Sequence, residues 1–405
     1  MHEWSAHEIA RRVGAGEVSA EEVVAHHLDR IEARSELNAF ITVDRERSLA
    51  DARSLAREGR LGALAGVPFA PKDLFDTAGM RTTYGSALFR DHVPSRTASA
   101  VQRLTDAGAV IVGKTNLHEF AWGVTSKNPF YGTVGNPRRP GHVAGGSSGG
   151  SAAALAAGLA TLSIGTDTGG SIRIPSFACG TAGFKPSHGL VPLDGCFPLA
   201  PTFDHAGPMA RTMEECALAL EVLADLPRPY PRLAGLRVGV LDPIAEMDRL
   251  EDSGADVEET ALPPWEHALP IFAAECAYIH RDLFSERRDE YSDDLKFKLA
   301  PGFELPAVAY RALWDEVGAW RLRCARELHY DILVSPTMSC DLPLVEEEET
   351  PEYRARLTAR VRPFNWLGWP SATTRDGVMF SGRSDATVLA AALAWERELP
   401  PPATC

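Results

Sequence analysis

The sequence predicts an α/β protein in which helices are layered around a mixed β-sheet. Short apolar segments with the length of buried strands alternate with longer segments of helical periodicity. The apolar fraction of 45% is enough for a sizeable core in a chain of 405 residues. Neither internal repeats nor a long linker interrupts this alternation, so we expect one domain over residues 1–405.

Helices are expected at intervals along the whole chain. Residues 6–34 have the periodicity of two amphipathic helices, and Gly14-Ala15-Gly16 separates them. Gly108 is expected to end a helix, because glycine readily adopts the left-handed conformation at a helix C-terminus. Further helices are predicted over residues 45–58, 97–107, 149–160, 217–224, 271–286 and 307–328.

Strands are expected where the apolar runs are short. Residues 66–70, 110–112 and 162–166 are predicted to be strands, the first leading directly into Lys72. Residues 371–374 and 378–381 flank Arg375-Asp376-Gly377, which predicts a tight hairpin. The chain thus divides into N-terminal helices over residues 1–60, a core over residues 61–215 and a less distinctive part over residues 216–405.

Composition excludes several classes of function. A net charge of −14 argues against nonspecific nucleic-acid binding, which requires a basic surface. No window approaches 18 uninterrupted apolar residues, and the first residues lack a signal peptide's basic and apolar regions, so we expect neither a membrane span nor secretion. Seven scattered cysteines without a Cys-x-x-Cys pair indicate reduced thiols in a cytoplasmic protein. Histidine and cysteine spacing predicts no metal site.

Two glycine-rich segments each carry a serine that is a candidate for catalysis. Residues 145–151 read Gly-Gly-Ser-Ser-Gly-Gly-Ser, and residues 165–175 read Gly-Thr-Asp-Thr-Gly-Gly-Ser-Ile-Arg-Ile-Pro. Glycine lets the backbone approach a ligand closely, so such turns are suited to direct N–H groups at a developing negative charge. Upstream, Lys72 follows the apolar sequence Pro68-Phe69-Ala70-Pro71.

Together these segments resemble the amidase signature family. Further points of similarity across residues 5–215 are Gly66-Val67-Pro68, Gly113-Lys114-Thr115-Asn116, Gly183-Phe184-Lys185-Pro186 and Asp204-His205-Ala206-Gly207-Pro208. The resemblance is weaker beyond residue 215, where residues 331–337 and 365–371 look like the late strand and closing segment of the family. It implies a layered α/β/α fold with a central mixed sheet covered by helices on both faces.

The resemblance also implies a catalytic set. Lys72 corresponds to the general base, Ser147 to a bridging serine preceded by a cis peptide, and Ser171 to the nucleophile. A lysine acts as a base only when neutral, and burial lowers its pKa in that direction. The implied oxyanion hole consists of the backbone N–H groups of Thr168, Gly169, Gly170 and Ser171, and the implied substrate-lining residues are Ala121, Trp122, Gly123 and Gly146.

Each candidate also has a purely structural interpretation. Ser147, Ser148 and Ser151 are suited to cap the following helix, an interpretation we favour for Ser148 and Ser151. Asp167 and Arg173 are either a pair that supports the nucleophile turn or an ordinary ion pair. Asp204 and His205 suggest a Ser-His-Asp triad, but the family resemblance makes them structural.

Two motif matches are rejected on their context. Residues 145–149 fit the Gly-x-Ser-x-Gly turn of α/β-hydrolases, but that motif needs a buried strand before it, and a loop is predicted there. Residues 108–115 fit a phosphate-binding loop, but their β-branched apolar centre predicts the strand itself. We therefore expect no nucleotide, no metal and no other cofactor.

The sequence thus predicts an amidohydrolase that forms an acyl-enzyme on Ser171. Trp122, with contributions from Trp366 and Trp369 if they are not core residues, indicates a narrow aromatic pocket for a small amide, ester or carbamate. We expect a monomer or homodimer without membrane or nucleic-acid partners. The alternatives are the glutaminase-like subunit of a tRNA-dependent amidotransferase and a catalytically dead binding or scaffold protein.

Overall fold

The computed structural model of the protein describes residues 1–59, 61–264 and 269–402. Residues 60, 265–268 and 403–405 of the expected domain, including Cys405, lie outside the described residues. The helices are α1 Ala6–Gly14, α2 Ala20–Ala33, α3 Arg45–Arg57, α4 Ser99–Asp106, α5 Gly149–Ala156, α6 Arg173–Cys179, α7 Met213–Ala224, α8 Met247–Asp252, α9 Leu269–Arg287, α10 Asp293–Glu304, α11 Ala307–Glu327, α12 Pro351–Thr358, α13 Arg362–Leu367 and α14 Asp385–Arg397.

The strands form one large mixed sheet and two small ones. They are β1 Phe40–Thr42, β2 Pro68–Pro71, β3 Val110–Ile111, β4 Lys114–Thr115, β5 Lys127–Asn128, β6 Gly132–Thr133, β7 Leu162–Thr166, β8 Ala182–Lys185, β9 Ala206–Ala210, β10 Arg237–Val240, β11 Asp256–Glu259, β12 Ile332–Pro336, β13 Ser371–Thr373 and β14 Val378–Gly382. In the described part of the chain the large sheet has ten strands in the order β11-β10-β12-β14-β13-β8-β9-β7-β2-β3.

The large sheet is parallel at its two ends and antiparallel in the middle. Strands β11, β10 and β12 run parallel, as do β7, β2 and β3. Between them, β14, β13, β8 and β9 pair in antiparallel fashion. Helices α5 and α6, and separately α7 and α14, pack on the middle strands, so the sheet lies between helical layers as expected for a layered α/β fold.

Most predicted elements are confirmed with small changes in their bounds. Helices α1 and α2 separate where predicted, and Ser19 caps α2 by a reciprocal capping box with Glu22. Strand β7 has the predicted bounds, and β13 and β14 form the predicted hairpin. The segment that fits a phosphate-binding loop contains β3 and β4, which confirms the strand interpretation.

Two predicted helix bounds near the glycine-rich segments were wrong. Helix α5 ends at Ala156 rather than residue 160, and Gly158 follows with a φ of +64°, a left-handed conformation that interrupts the helix. Ser171 does not open the next helix, because α6 begins at Arg173 and has only seven residues. Ser171 therefore lies in the turn between β7 and α6.

Small side chains let helix α5 pack closely on the sheet. Every residue of α5 is buried, since its glycine, alanine and serine side chains let the helix approach the sheet closely. Among the described residues, the cysteines at positions 196, 216, 276, 324 and 340 form no disulfide. Among the described residues, no helix has both the length and the apolar character needed to cross a bilayer.

Candidate active site

Lys72 lies immediately after β2, at the centre of the site. Its backbone N–H donates to Ile164 O of β7 at 3.1 Å, which continues the pairing of the two strands. Its Nζ donates to Ser147 Oγ and to Thr166 Oγ1, both at 2.7 Å, and the side chain is fully buried. The sequence analysis did not identify Thr166, which has no signal beyond its place at the end of a predicted strand.

Burial lowers the pKa of Lys72 to about 7, and the charges of Cys196, Asp167 and Asp204 only partly oppose this effect. The nearby Lys114 is also fully buried, but its Nζ lies 3.3 Å from Asp73 Oδ1. No carboxylate of the described residues forms such an ion pair with Lys72. A substantial fraction of Lys72 is therefore neutral near pH 7, as a general base requires.

Ser147 contacts Lys72 through its side chain and is held in place through its backbone. The Gly146–Ser147 peptide is cis. The Ser147 carbonyl accepts hydrogen bonds from His118 N at 3.3 Å and from Ser126 Oγ at 3.2 Å. Any Cβ on Gly146 would lie 2.7 Å from Ser126 N, so this position needs glycine for close backbone packing.

Asp167 organises the turn that carries Ser171. Its carboxylate accepts hydrogen bonds from the backbone N–H groups of Gly170 at 2.8 Å and Ile172 at 3.1 Å. Of the four N–H groups predicted to form an oxyanion hole, that of Gly170 is therefore already used. In the part of the chain that the structure describes, the N–H groups of Thr168, Gly169 and Ser171 have no hydrogen-bond acceptor.

Asp167 and Arg173 form a fully buried ion pair. Arg173 Nη2 and Nε donate to the two Asp167 carboxylate oxygens at 2.9 and 3.0 Å. Burial by itself would raise the pKa of Asp167, but the adjacent guanidinium outweighs it and holds that pKa well below its usual range. Asn365 joins the network by donating to Asp167 Oδ1 at 2.8 Å and accepting from Arg173 Nη2 at 2.6 Å.

Asp204 and His205 do not form a triad with Ser171. Asp204 accepts a hydrogen bond from Thr168 Oγ1 at 2.6 Å, so it supports the turn that carries Ser171. His205 Nδ1 lies 2.7 Å from Phe203 O, and burial keeps the pKa of the ring well below its usual value. The described hydrogen bonds include none between His205 and Ser171, in agreement with the structural interpretation of this pair.

Ser171 opens into a cavity of about 460 Å³. The predicted substrate-lining residues Ala121, Trp122 and Gly123 form part of its wall, whereas Gly146 does not reach it. A Cβ on Gly123 would lie 2.2 Å from His118 Cε1, so glycine is needed at this point of the wall. Ser171 is 7% exposed, and its Oγ makes no hydrogen bond to another described residue.

Most of the cavity wall comes from the C-terminal part of the chain, which sequence reasoning could not assign. Helices α9, α10, α12 and α13 contribute these residues: Leu269, Pro270, Phe272, Ala273, Phe297, Lys298, Pro301, Pro351, Arg354, Ala355, Thr358, Arg362 and Trp366. Trp366 is fully buried and packs on Phe203 with ring centroids 3.8 Å apart, so it is both core and wall. Trp369 is not among the lining residues.

Comparison with known proteins identifies the family. A family model described as amidase matches residues 22–231. The chain is 42% identical over 306 residues to a glutamyl-tRNA(Gln) amidotransferase subunit of Chromohalobacter salexigens, a match that covers 67% of this chain and 63% of that relative. The chain therefore spans less than two thirds of that relative's length.

Solved structures match over almost the whole chain. A crystal structure described as an amidase superposes with a TM-score of 0.89 and 32% identity, covering 98% of this chain and 100% of the other. The peptide amidase of Stenotrophomonas maltophilia has a TM-score of 0.82 and 28% identity, with 99% of each chain covered. The extent of the family match and the shared fold show that this chain belongs to the amidase signature family.

Proposed function

We propose that the protein is an amidohydrolase that cleaves a carboxamide or a related C–N acyl bond through an acyl-enzyme on Ser171. The observation that carries this proposal is the buried contact between Lys72 and Ser147, next to a cavity that contains Ser171. Serine alone is a weak nucleophile at neutral pH, so it needs an adjacent base. A lysine with a pKa of about 7 is suited to that role.

In the first step Ser171 Oγ attacks the carbonyl carbon. Its proton passes to Ser147 Oγ while the Ser147 proton passes to neutral Lys72, over the 2.7 Å contact between Lys72 Nζ and Ser147 Oγ. The link from Ser171 to Ser147 closes as the substrate binds, since catalytic hydrogen bonds commonly tighten in the complex. The free N–H groups of Thr168, Gly169 and Ser171 stabilise the negative oxygen of the tetrahedral intermediate.

In the second step the intermediate collapses and the C–N bond breaks. The departing nitrogen takes a proton that returns from Lys72 through Ser147, which leaves an ester on Ser171. Water then attacks that ester, and the same relay accepts its proton and restores Ser171 as the carboxylic acid leaves. Retention of Lys72, Ser147 and Ser171 in this arrangement speaks against a catalytically dead scaffold.

A substrate panel tests the proposal most directly. Purified protein is assayed for product release from small amides, ureas, esters and carbamates, in parallel with the Ser171→Ala variant. We expect turnover of at least one class by the unmodified protein and none by the variant. Equal activity of the two proteins on every class would refute the acyl-enzyme on Ser171.

A second candidate function is that of a glutaminase-like subunit in an amidotransferase. The name of the Chromohalobacter relative favours it. The match covers only 63% of that relative, which argues against assigning the relative's whole activity to this chain. Purified chain without partners distinguishes the two functions: an independent hydrolase turns over amides alone, whereas a component of an assembly hydrolyses glutamine only when partner proteins are added.

A further inference from the structure

The cavity around Ser171 has an unusual charge for this protein. The whole chain has a net charge of −14, yet the cavity wall carries Lys298, Arg354 and Arg362 and no acidic residue among those described. The rest of the wall is largely apolar, with Trp122, Phe272 and Trp366 among its members. Positive charge in a mainly apolar cavity favours a ligand that carries negative charge.

Two of these three cations already have partners. Lys298 Nζ donates to the Trp122 carbonyl at 2.7 Å and to Asp294 Oδ2 at 2.5 Å. Arg354 lies 3.5 Å from Asp294 and 4.0 Å from Glu349. Neither Asp294 nor Glu349 is among the lining residues of the cavity, so their charges balance Lys298 and Arg354 from outside it.

Arg362 differs from both. Within the described residues its guanidinium makes no hydrogen bond and no ion pair. Burial, with a smaller contribution from the charge of Arg354, lowers the pKa of Arg362 to about 10, so the group is still charged at neutral pH. The side chain is half-buried, so its guanidinium is accessible from the cavity. A guanidinium offers five N–H donors in a planar fork that matches a carboxylate.

The backbone of Arg362 is anchored to the nucleophile turn. The carbonyl of the preceding Val361 accepts a hydrogen bond from Arg173 Nη1 at 2.8 Å, and Asn365 of the same helix donates to Asp167 O at 2.8 Å. Arg362 Nε lies 3.9 Å from the position that a Cβ of Gly169 would take. Gly169 is two residues before Ser171, and all three residues line the same cavity, so Arg362 lies close to the turn whose N–H groups are proposed to hold the substrate's carbonyl oxygen.

We propose that the substrate carries a carboxylate, which pairs with Arg362 a few bonds away from the carbonyl that Ser171 attacks. The inference rests on the proposed hydrolase function for its reaction and adds the chemical class of the substrate. That class is a short acyl compound with an amide at one end and a free carboxylate at the other. The apolar wall packs against the chain between them.

Matched pairs of amides test this inference. Succinamate and glutaramate carry the carboxylate, and 4-methylpentanamide and 5-methylhexanamide have the same shape with an uncharged branched end. kcat/KM for each is measured by ammonia release with the unmodified protein, Arg362→Met, Arg362→Lys and Arg356→Met. Arg356 is an exposed arginine of α12 that does not line the cavity, so Arg356→Met is the control. Circular dichroism verifies that each variant is folded.

We expect the unmodified protein to prefer the carboxylates. Arg362→Met should lower kcat/KM for them by about 10- to 100-fold, the range for a hydrogen bond to a charged group, and leave the uncharged amides nearly unchanged. Arg362→Lys should recover part of the loss, and Arg356→Met should have no effect. The inference would be overturned if the unmodified protein showed no preference for the carboxylate amides. It would also be overturned if Arg362→Met lowered kcat/KM equally for both members of a pair, because that result indicates oxyanion stabilisation or a structural role.

A binding measurement separates this inference from the hydrolase proposal. Ser171→Ala is titrated calorimetrically with succinamate, with and without Arg362→Met. If Ser171→Ala binds succinamate in a way that depends on Arg362, but the unmodified protein hydrolyses none of these amides and no member of the wider substrate panel, the carboxylate site is supported and the hydrolase function is refuted. Hydrolysis without preference supports the hydrolase function and refutes the carboxylate site. Absence of Arg362-dependent binding, together with absence of hydrolysis across the whole substrate panel, refutes both proposals.

Discussion

Residues 61–215 supply Lys72, Ser147 and Ser171, whereas residues 216–402 supply most of the cavity wall that faces them. The two regions are built differently. Lys72 and Ser147 are fully buried and hydrogen-bonded to each other, and Asp167 fixes the turn before Ser171. At the cavity mouth, by contrast, Leu269 and Phe297 are 54% and 68% exposed.

For the proposed hydrolase, this difference separates the groups that would act on every substrate from the groups that would select among substrates. Groups in the first region keep their geometry through buried hydrogen bonds, so any substrate meets the same chemistry there. Exposed side chains at the mouth, such as Leu269 and Phe297, can change with little cost to the fold. Substitutions in the first region should therefore affect every substrate, and substitutions in the second should affect the choice among substrates.

Replacement of Ser171, the proposed nucleophile, should have the largest effect on activity. Ser171→Ala removes the covalent route, so kcat should fall by about four powers of ten or more while the fold is retained. Rates on an accepted substrate and circular dichroism measure both quantities. Ser148→Ala is the control, because Ser148 is also a buried serine of a glycine-rich turn and should keep most of the activity. More than about a tenth of the activity left in Ser171→Ala would move the nucleophile elsewhere, with Ser147 the first candidate.

Replacement of Lys72, the proposed general base, should lower kcat/KM by several powers of ten and change its dependence on pH. The ammonium form of Lys72 accepts no proton, so kcat/KM should rise as pH increases through the pKa of about 7 and level above it. Lys72→Met and Lys72→Arg should both lack this activity, since arginine remains charged throughout the accessible range.

The control for Lys72 is Lys114, another fully buried lysine. Lys114→Met leaves Asp73 buried without its ion pair and should lower the free energy of unfolding, while the folded fraction keeps the alkaline rise in rate. An active Lys72→Arg protein with an unchanged pH profile would assign the base to another residue.

Loss of the buried ion pair between Asp167 and Arg173 should lower activity less than loss of Ser171 or Lys72 does, but it should lower the free energy of unfolding strongly. Asp167→Asn leaves the Arg173 guanidinium buried without its carboxylate, which should cost about 3–5 kcal/mol of unfolding free energy in urea denaturation. In the second region, Glu290→Gln removes one partner of the ion pair with Arg287, in which the Arg287 and Glu290 side chains are 40% and 44% exposed, and it should lower the free energy of unfolding far less. Equal losses in the two variants would contradict the contrast between the regions.

Substitution at the cavity mouth should have the smallest effect. Phe297→Ala removes part of the wall, so KM should change several-fold with substrate size, while stability stays within about 0.5 kcal/mol. Phe303→Ala on the same helix is the control, because Phe303 stacks on Phe284 and does not line the cavity. A fall in kcat with every substrate after Phe297→Ala would mean that the mouth also positions the catalytic groups.

The local sequence was sufficient for the glycine-rich turns, the strand before Lys72 and the helices of the N-terminal part. Glycine, serine and strand periodicity act over a few residues, and these signals can be read from neighbours in the chain. The same reasoning misplaced the start of α6, because the Asp167 carboxylate bonds the N–H groups of Gly170 and Ile172 and keeps Ser171 in a turn.

Only the tertiary structure decided what surrounds these residues. Thr166 approaches Lys72 across 94 positions of sequence, and Asn365 approaches Asp167 across 198. Arg362 has no distinguishing neighbours in the sequence, and its importance appears only once it is seen beside Gly169 without a partner among the described residues. The sequence by itself determined the family and the residues proposed for catalysis. Packing of distant helices against the sheet decided the cavity, its charge and the proposed class of substrate, because such contacts leave no local pattern.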